Sequence, residues 1–115
     1  MKFTETLKKN YEFQRLYHKG KSAVTPYLVV YARRSKRAKN RIGFTVSAKL
    51  GCAVQRNRVR RRLREIYRLH EAELRMGTEL VVVARARAVH SDYHQMERAF
   101  LSACAKLGLL REASQ

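Results

Sequence analysis

Residues 41–86 read RIGFTVSAKLGCAVQRNRVRRRLREIYRLHEAELRMGTELVVVARA. Three periodicities follow one another in this stretch. RIGFTVS (41–47) alternates, with Ile42, Phe44 and Val46 on one side, as a half-buried strand does. AKLG then turns the chain. From about Ala53 to about Leu74 the apolar residues Val59, Leu63, Ile66 and Leu74 recur at helical spacing, which predicts one long helix with one buried stripe, closed by Gly77. ELVVVARA (79–86) is apolar on both sides, as expected of a central strand covered on both faces. Strand, long helix and strand in this order suit one βαβ crossover.

The flanks complete the layout. NYEFQRLYHK (10–19) predicts a short helix, with Asn10 as a candidate cap, Gly20 as its end, and Phe13 and Tyr17 on one face. TPYLVVYAR (25–33) is rich in β-formers, and Pro26 belongs at its start or on an edge. Alternation puts Tyr27, Val29 and Tyr31 on one face of this strand. A basic loop, RSKRAKN, separates it from 41–47, so the two strands are expected to form an antiparallel hairpin. A last helix is predicted from Ser91 or Asp92, with Met96, Ala99, Phe100, Ala103 and Leu107 on its apolar face and Gly108 at its end. The expected order is α-β-β-α-β-α: an α+β sandwich in one domain, 1–115, with helices packed on a small mixed sheet of about four strands.

Composition narrows the partner. Lys and Arg number 26 against nine acids, a formal charge of +17, while 45% of the residues are hydrophobic. That is a folded domain rather than a basic tail, and its surface attracts polyanions. No apolar run approaches the roughly 20 residues that span a bilayer, and MKFTETLKKN lacks the apolar core of a secretory signal, so a cytoplasmic protein with no membrane partner is expected. Cys52 and Cys104 are far apart and in no CxxC pair, so two free thiols are expected.

RNRVRRRLR (56–64) holds six arginines in nine residues, and seven arginines lie between 56 and 68 with only Glu65 among them. Such crowding opposes its own helix unless an anion lies against it. On a helical wheel, Asn57, Arg60, Arg61, Arg64 and Arg68 lie about 100–200° from Val59, with Arg56, Arg58 and Arg62 flanking the buried stripe. Arginine forks match phosphate and stack on bases. Asn57 can donate and accept toward phosphate, a 2′-hydroxyl or a base edge, and serves equally well as a helix-start residue. The aromatics Phe13, Tyr17, Tyr27 and Tyr31 suit either core packing or stacking on unpaired bases. Signals for protein-based catalysis are poor. His90 and His94 stand outside any HExxH pattern, no acid pairs suit two-metal chemistry, and no P-loop or GxSxG occurs, so neither catalytic nor metal-ligating residues are expected.

The segment SAKLGCAVQRNRVRRRLREIYR (47–68) resembles the signature of the bacterial ribonuclease P protein subunit. The resemblance is carried by Val46, Ser47, Lys49, Gly51, Ala53, Val54, Arg56, Asn57, Arg58, Arg60, Arg61, Arg64 and Glu65. LKKNYEFQRLYHKGKS (7–22), YLVVYA, RIGFTVS and ELVVVARARA resemble that family's opening and strands, in the same order. The resemblance implies a left-handed βαβ crossover, against the general rule. It implies a subunit whose RNA partner cleaves precursor tRNA, using Mg²⁺ held mainly by that RNA, to leave the mature 5′ end. It also implies a cleft for the 5′ leader, with Phe13, Tyr17 and Tyr31 on one side and Asn57, Arg60, Arg61 and Arg64 on the other. Lys49, Arg56, Arg58, Arg62 and Arg68 would flank it as further RNA contacts, and one copy of the protein is expected per complex. Ala48 and Cys52 stand where the family often has lysine and asparagine. A general or ribosomal RNA-binding module without a processing role is the competing reading of the same basic surface.

Overall fold

The computed structural model describes residues 4–111. In chain order these form β1 (Thr4–Thr6), α1 (Asn10–Lys19), β2 (Lys21–Val24), β3 (Leu28–Arg34), β4 (Asn40–Thr45), α2 (Ala53–His70), β5 (Thr78–Ala84) and α3 (Tyr93–Lys106). Short 3₁₀ turns occupy Ala48–Leu50, Glu71–Glu73 and Ala86–His90. The five strands make one mixed sheet in the order β1-β4-β5-β3-β2.

The expected hairpin between β3 and β4 does not form. β5 lies between them, antiparallel to β3 (Leu28 opposite Ala84, Arg34 opposite Thr78) and parallel to β4 (Arg41 opposite Glu79, Thr45 opposite Val83). The reason is the composition of β5. Leu80, Val81 and Val82 are fully buried, and at an edge such a strand would leave an apolar ladder unpaired. β4, α2 and β5 therefore form the βαβ unit that the sequence suggests. β1 adds parallel to β4, and β2 adds antiparallel to β3; both are short edge strands that the sequence reading missed.

The sheet is covered on both faces. Leu28, Val30, Ile42, Leu80 and Val82 meet Val59, Leu63 and Ile66 of α2 and Met96, Phe100 and Ala103 of α3 in the main core. The opposite face carries a smaller cluster, in which Leu7, Leu16 and Val81 are buried. Tyr27 precedes β3 and packs on the main core, so it does not share a face with Tyr31, which packs in the smaller cluster.

Helix ends follow local chemistry. α1 is capped at Lys9 rather than Asn10; the Glu12 carboxylate accepts the N–H groups of Lys8 (3.3 Å) and Lys9 (3.0 Å). α3 starts with a reciprocal pair, the Asp92 carboxylate accepting Gln95 N–H at 2.7 Å and the Gln95 amide oxygen accepting Asp92 N–H at 3.0 Å. Gly108, at φ +70°, follows its last residues in the left-handed conformation typical of helix ends. α2 stops at His70 rather than continuing to Leu74, and the 3₁₀ turn Glu71–Glu73 delivers Leu74 buried. Among the described residues no helix is long and apolar enough to cross a membrane. Both cysteines are free, Cys52 exposed and Cys104 buried.

Candidate nucleic-acid interface

The strand register builds one side of the site. Tyr31 of β3, Val81 of β5 and Gly43 of β4 are cross-strand neighbours on the α1 face. The Phe13 ring lies directly over Gly43: a Cβ there would meet the Phe13 ring at 2.5 Å, so only glycine admits it. Tyr17, one turn further along α1, meets Tyr31 edge to face with ring centroids 5.1 Å apart. Its hydroxyl is 2.8 Å from that of Thr45, at the end of β4. Phe13, Tyr17 and Tyr31 are each half-buried, packed on the small cluster with part of each ring facing out. Core packing and an accessible ring surface thus coexist at these positions.

A row of charges borders the aromatics. Arg33, Glu79 and Arg41 are cross-strand neighbours, and Arg41 pairs with Glu12 of α1 and with Glu79 (3.5 Å), while Arg33 approaches Glu79 at 3.7 Å. Burial works against the Glu12 charge, but the N–H groups of Lys9 and Lys8 together with Arg41 outweigh it and hold this carboxyl below the usual range. These acids are thereby consumed in holding α1 on the sheet.

The chain passes from Thr45 through the Ala48–Leu50 turn into α2. Ser47 Oγ accepts Lys49 N–H at 3.2 Å, which orders the turn and leaves Lys49 exposed beside the helix start. Cys52 caps the helix, its N–H donating to Gln55 Oε1 at 3.0 Å. The Gln55 N–H directed at the thiol lowers the Cys52 pKa, outweighing the opposing effect of desolvation. Asn57 is therefore not a helix-start residue but lies one turn inside α2. It accepts a hydrogen bond from Arg60 at 3.0 Å. Asn57, Arg60, Arg61 and Arg64 stand at i, i+3, i+4 and i+7 and share one face, as the wheel predicts.

The remaining arginines divide by partner. Arg58, Arg61 and Arg64 are exposed and enter no ion pair among the described residues. Arg62 donates to the Ser91 carbonyl at 3.0 Å and so anchors α2 to the start of α3. Arg68 forks onto Glu65 at 3.1 and 2.6 Å, which offsets its charge locally. Arg56 is half-buried, with its Nε enclosed. Sequence reasoning overlooked Tyr11: it is 56% exposed, with Lys9 and Arg15 at 5.8 and 5.7 Å from its ring. The i, i+4 spacing of Tyr11 and Arg15 was the available signal.

His90 lies in the 3₁₀ turn ahead of α3, so it does not share a helix face with His94. Among the described residues no three or more His, Cys, Asp or Glu side chains gather as metal ligands.

The family described as Ribonuclease P matches residues 1–108. The ribonuclease P protein component of Natranaerobius thermophilus is 43% identical over 93% of both chains. That of Alkaliphilus metalliredigens is 38% identical over 96% of this chain and 99% of its own. Among solved structures, the Staphylococcus aureus RNase P protein superposes with a TM-score of 0.84 at 32% identity, covering 92% of this chain and 97% of that one. The Thermotoga maritima RNase P protein superposes with a TM-score of 0.77 at 28% identity, covering 85% and 93%.

Proposed function

The chain belongs to the ribonuclease P protein family, as a protein subunit of the enzyme that matures tRNA 5′ ends, and we propose that its own part in that work is binding rather than bond breaking. The catalytic centre lies on the partner RNA. The half-buried rings of Phe13, Tyr17 and Tyr31 receive the 5′ leader of precursor tRNA, and the Asn57, Arg60, Arg61, Arg64 face of α2 holds leader and catalytic-RNA phosphates. The observation that carries this reading is the α2 face itself, four polar or cationic side chains in register that enter no ion pair among the described residues. Arginines offset the repulsion between RNA strands that metal ions would otherwise screen. Asn57 fixes the direction of the Arg60 fork.

The test compares precursor and mature tRNA binding by the assembled protein–RNA complex across a salt series. Tyr31→Ala is expected to weaken precursor binding by about 1–3 kcal/mol, the worth of one stacked base. Arg61→Ala is expected to lower the salt slope by roughly 0.7–0.9, one counterion fewer. Mature tRNA, which has no leader, is expected to be indifferent to both. Equal weakening of both tRNA forms at unchanged thermal stability would reassign these residues to general RNA assembly, and specific cleavage by RNA-free protein would overturn the division of labour.

A further inference from the structure

A second cationic surface lies apart from the aromatic face and the α2 arginines. Lys19, Lys21, Arg34 and Arg75 line a cavity of about 320 Å³ floored by Ala32 and Leu109. All four cations are exposed, and none enters an ion pair among the described residues. They come from three places, the junction of α1 and β2 (Lys19 and Lys21), the end of β3 and the approach to β5, which the fold brings together. Four like charges around one recess repel each other, and an anion seated there relieves the repulsion.

The basic loop after β3 extends this surface. Ser35 N–H donates to the Gly77 carbonyl at 2.7 Å, which pins the loop beside the start of β5. Gly77 has φ +76° and sits where a Cβ would come within 3.1 Å of the Arg37 carbonyl. Lys36, Arg37 and Lys39 project from this anchored loop, all exposed.

The position matters as much as the charge. Arg62 of α2 reaches the Ser91 carbonyl just ahead of α3, whereas Leu109 of the cavity floor follows its far end. α3 has 14 residues, hence a length of about 21 Å at 1.5 Å per residue. The Arg62 anchor of α2 and the cavity floor therefore lie at opposite ends of one rigid helix.

We propose that this recess takes a backbone phosphate of a second RNA segment, so that the protein holds one folded RNA at two separate points. A recessed apolar floor under a cationic rim suits a nucleotide with its sugar, whereas an anionic membrane would call for protruding apolar side chains at the rim. The inference rests on the reading of the chain as a subunit bound to a catalytic RNA.

The experiment uses full-length protein and its cognate RNA, with three proteins compared: wild type, a Lys21→Ala/Arg34→Ala/Arg75→Ala variant, and an Arg61→Ala/Arg64→Ala variant. Affinity is measured across a salt series, and the RNA backbone is footprinted in each complex. The triple variant is expected to lower the salt slope by roughly 0.7–0.9, the one phosphate seated in the recess. It is also expected to lose protection of an RNA segment that the Arg61/Arg64 variant still protects. An unchanged slope and footprint in the triple variant would overturn the proposal, as would loss of the same segment by both variants. Wild type that binds no cognate RNA would remove the subunit reading and this inference together. Matching thermal stability is required, and Gln at the same three positions replaces Ala if the first variant melts lower.

Discussion

Gly43 shows how one missing side chain builds the aromatic wall over the sheet. The Phe13 ring occupies the space that a Cβ would take, so Gly43→Ala must displace the ring or the strand. We expect Gly43→Ala to cost about 1–3 kcal/mol in urea unfolding, the usual cost of overpacking, and Phe13→Leu in the same chain to recover part of it. No loss in the single variant would contradict this packing. The sequence reading had Gly43 as an ordinary alternating position, because its constraint comes from a ring 30 residues earlier in the chain. Asn57 escaped for a related reason. Local spacing put it on the cationic face correctly, but its hydrogen bond to Arg60 depends on rotamers that a wheel does not contain.

Between helices, His70 is the joint. Its ring reaches Glu73 at 2.5 Å and Glu97 of α3 at 2.7 Å, and Glu97 also faces His94 at 3.8 Å. Partial burial disfavours the charged ring, but Glu97 and Glu73 outweigh it, and the pKa is raised above 6.5. The sign follows: the α2–α3 link is fully present below the ordinary histidine pKa and is lost as pH rises through the folded value. His70→Gln is expected to lose about 0.5–1 kcal/mol near pH 6, with the difference closing as pH rises through the raised histidine pKa. A pH-independent difference between the two unfolding curves would argue for packing alone. On a helical wheel His70 falls near the buried stripe, consistent with its half-burial, but its acidic partners lie outside α2. The same limit governs the strands. α1, α2 and α3 and the long strands were legible from periodicity, whereas β1 and β2 are short and polar, and pairing partners had to be decided by which strand tolerates no edge.

The net charge of +17 acts on the whole domain. Self-repulsion opposes compaction, so an anion bound only by the folded state stabilises it by mass action. A polyphosphate at about 100 times its Kd is expected to add about 2.7 kcal/mol, seen as a rise in Tm of roughly 10 °C. A Tm that follows ionic strength alone, whatever the anion, would show screening instead of seating. The central position of β5 has a further consequence, which concerns time. As the chain leaves the ribosome, β1 with β4 and β2 with β3 can pair as two separate ribbons, each marginal alone. Only when residues 78–84 emerge do they join, and Val81 then supplies the floor on which the α1 rings rest. The aromatic surface of Phe13, Tyr17 and Tyr31 is thus among the last parts of the molecule to exist, and a nascent chain halted before β5 displays its basic segments without the platform that gives them direction.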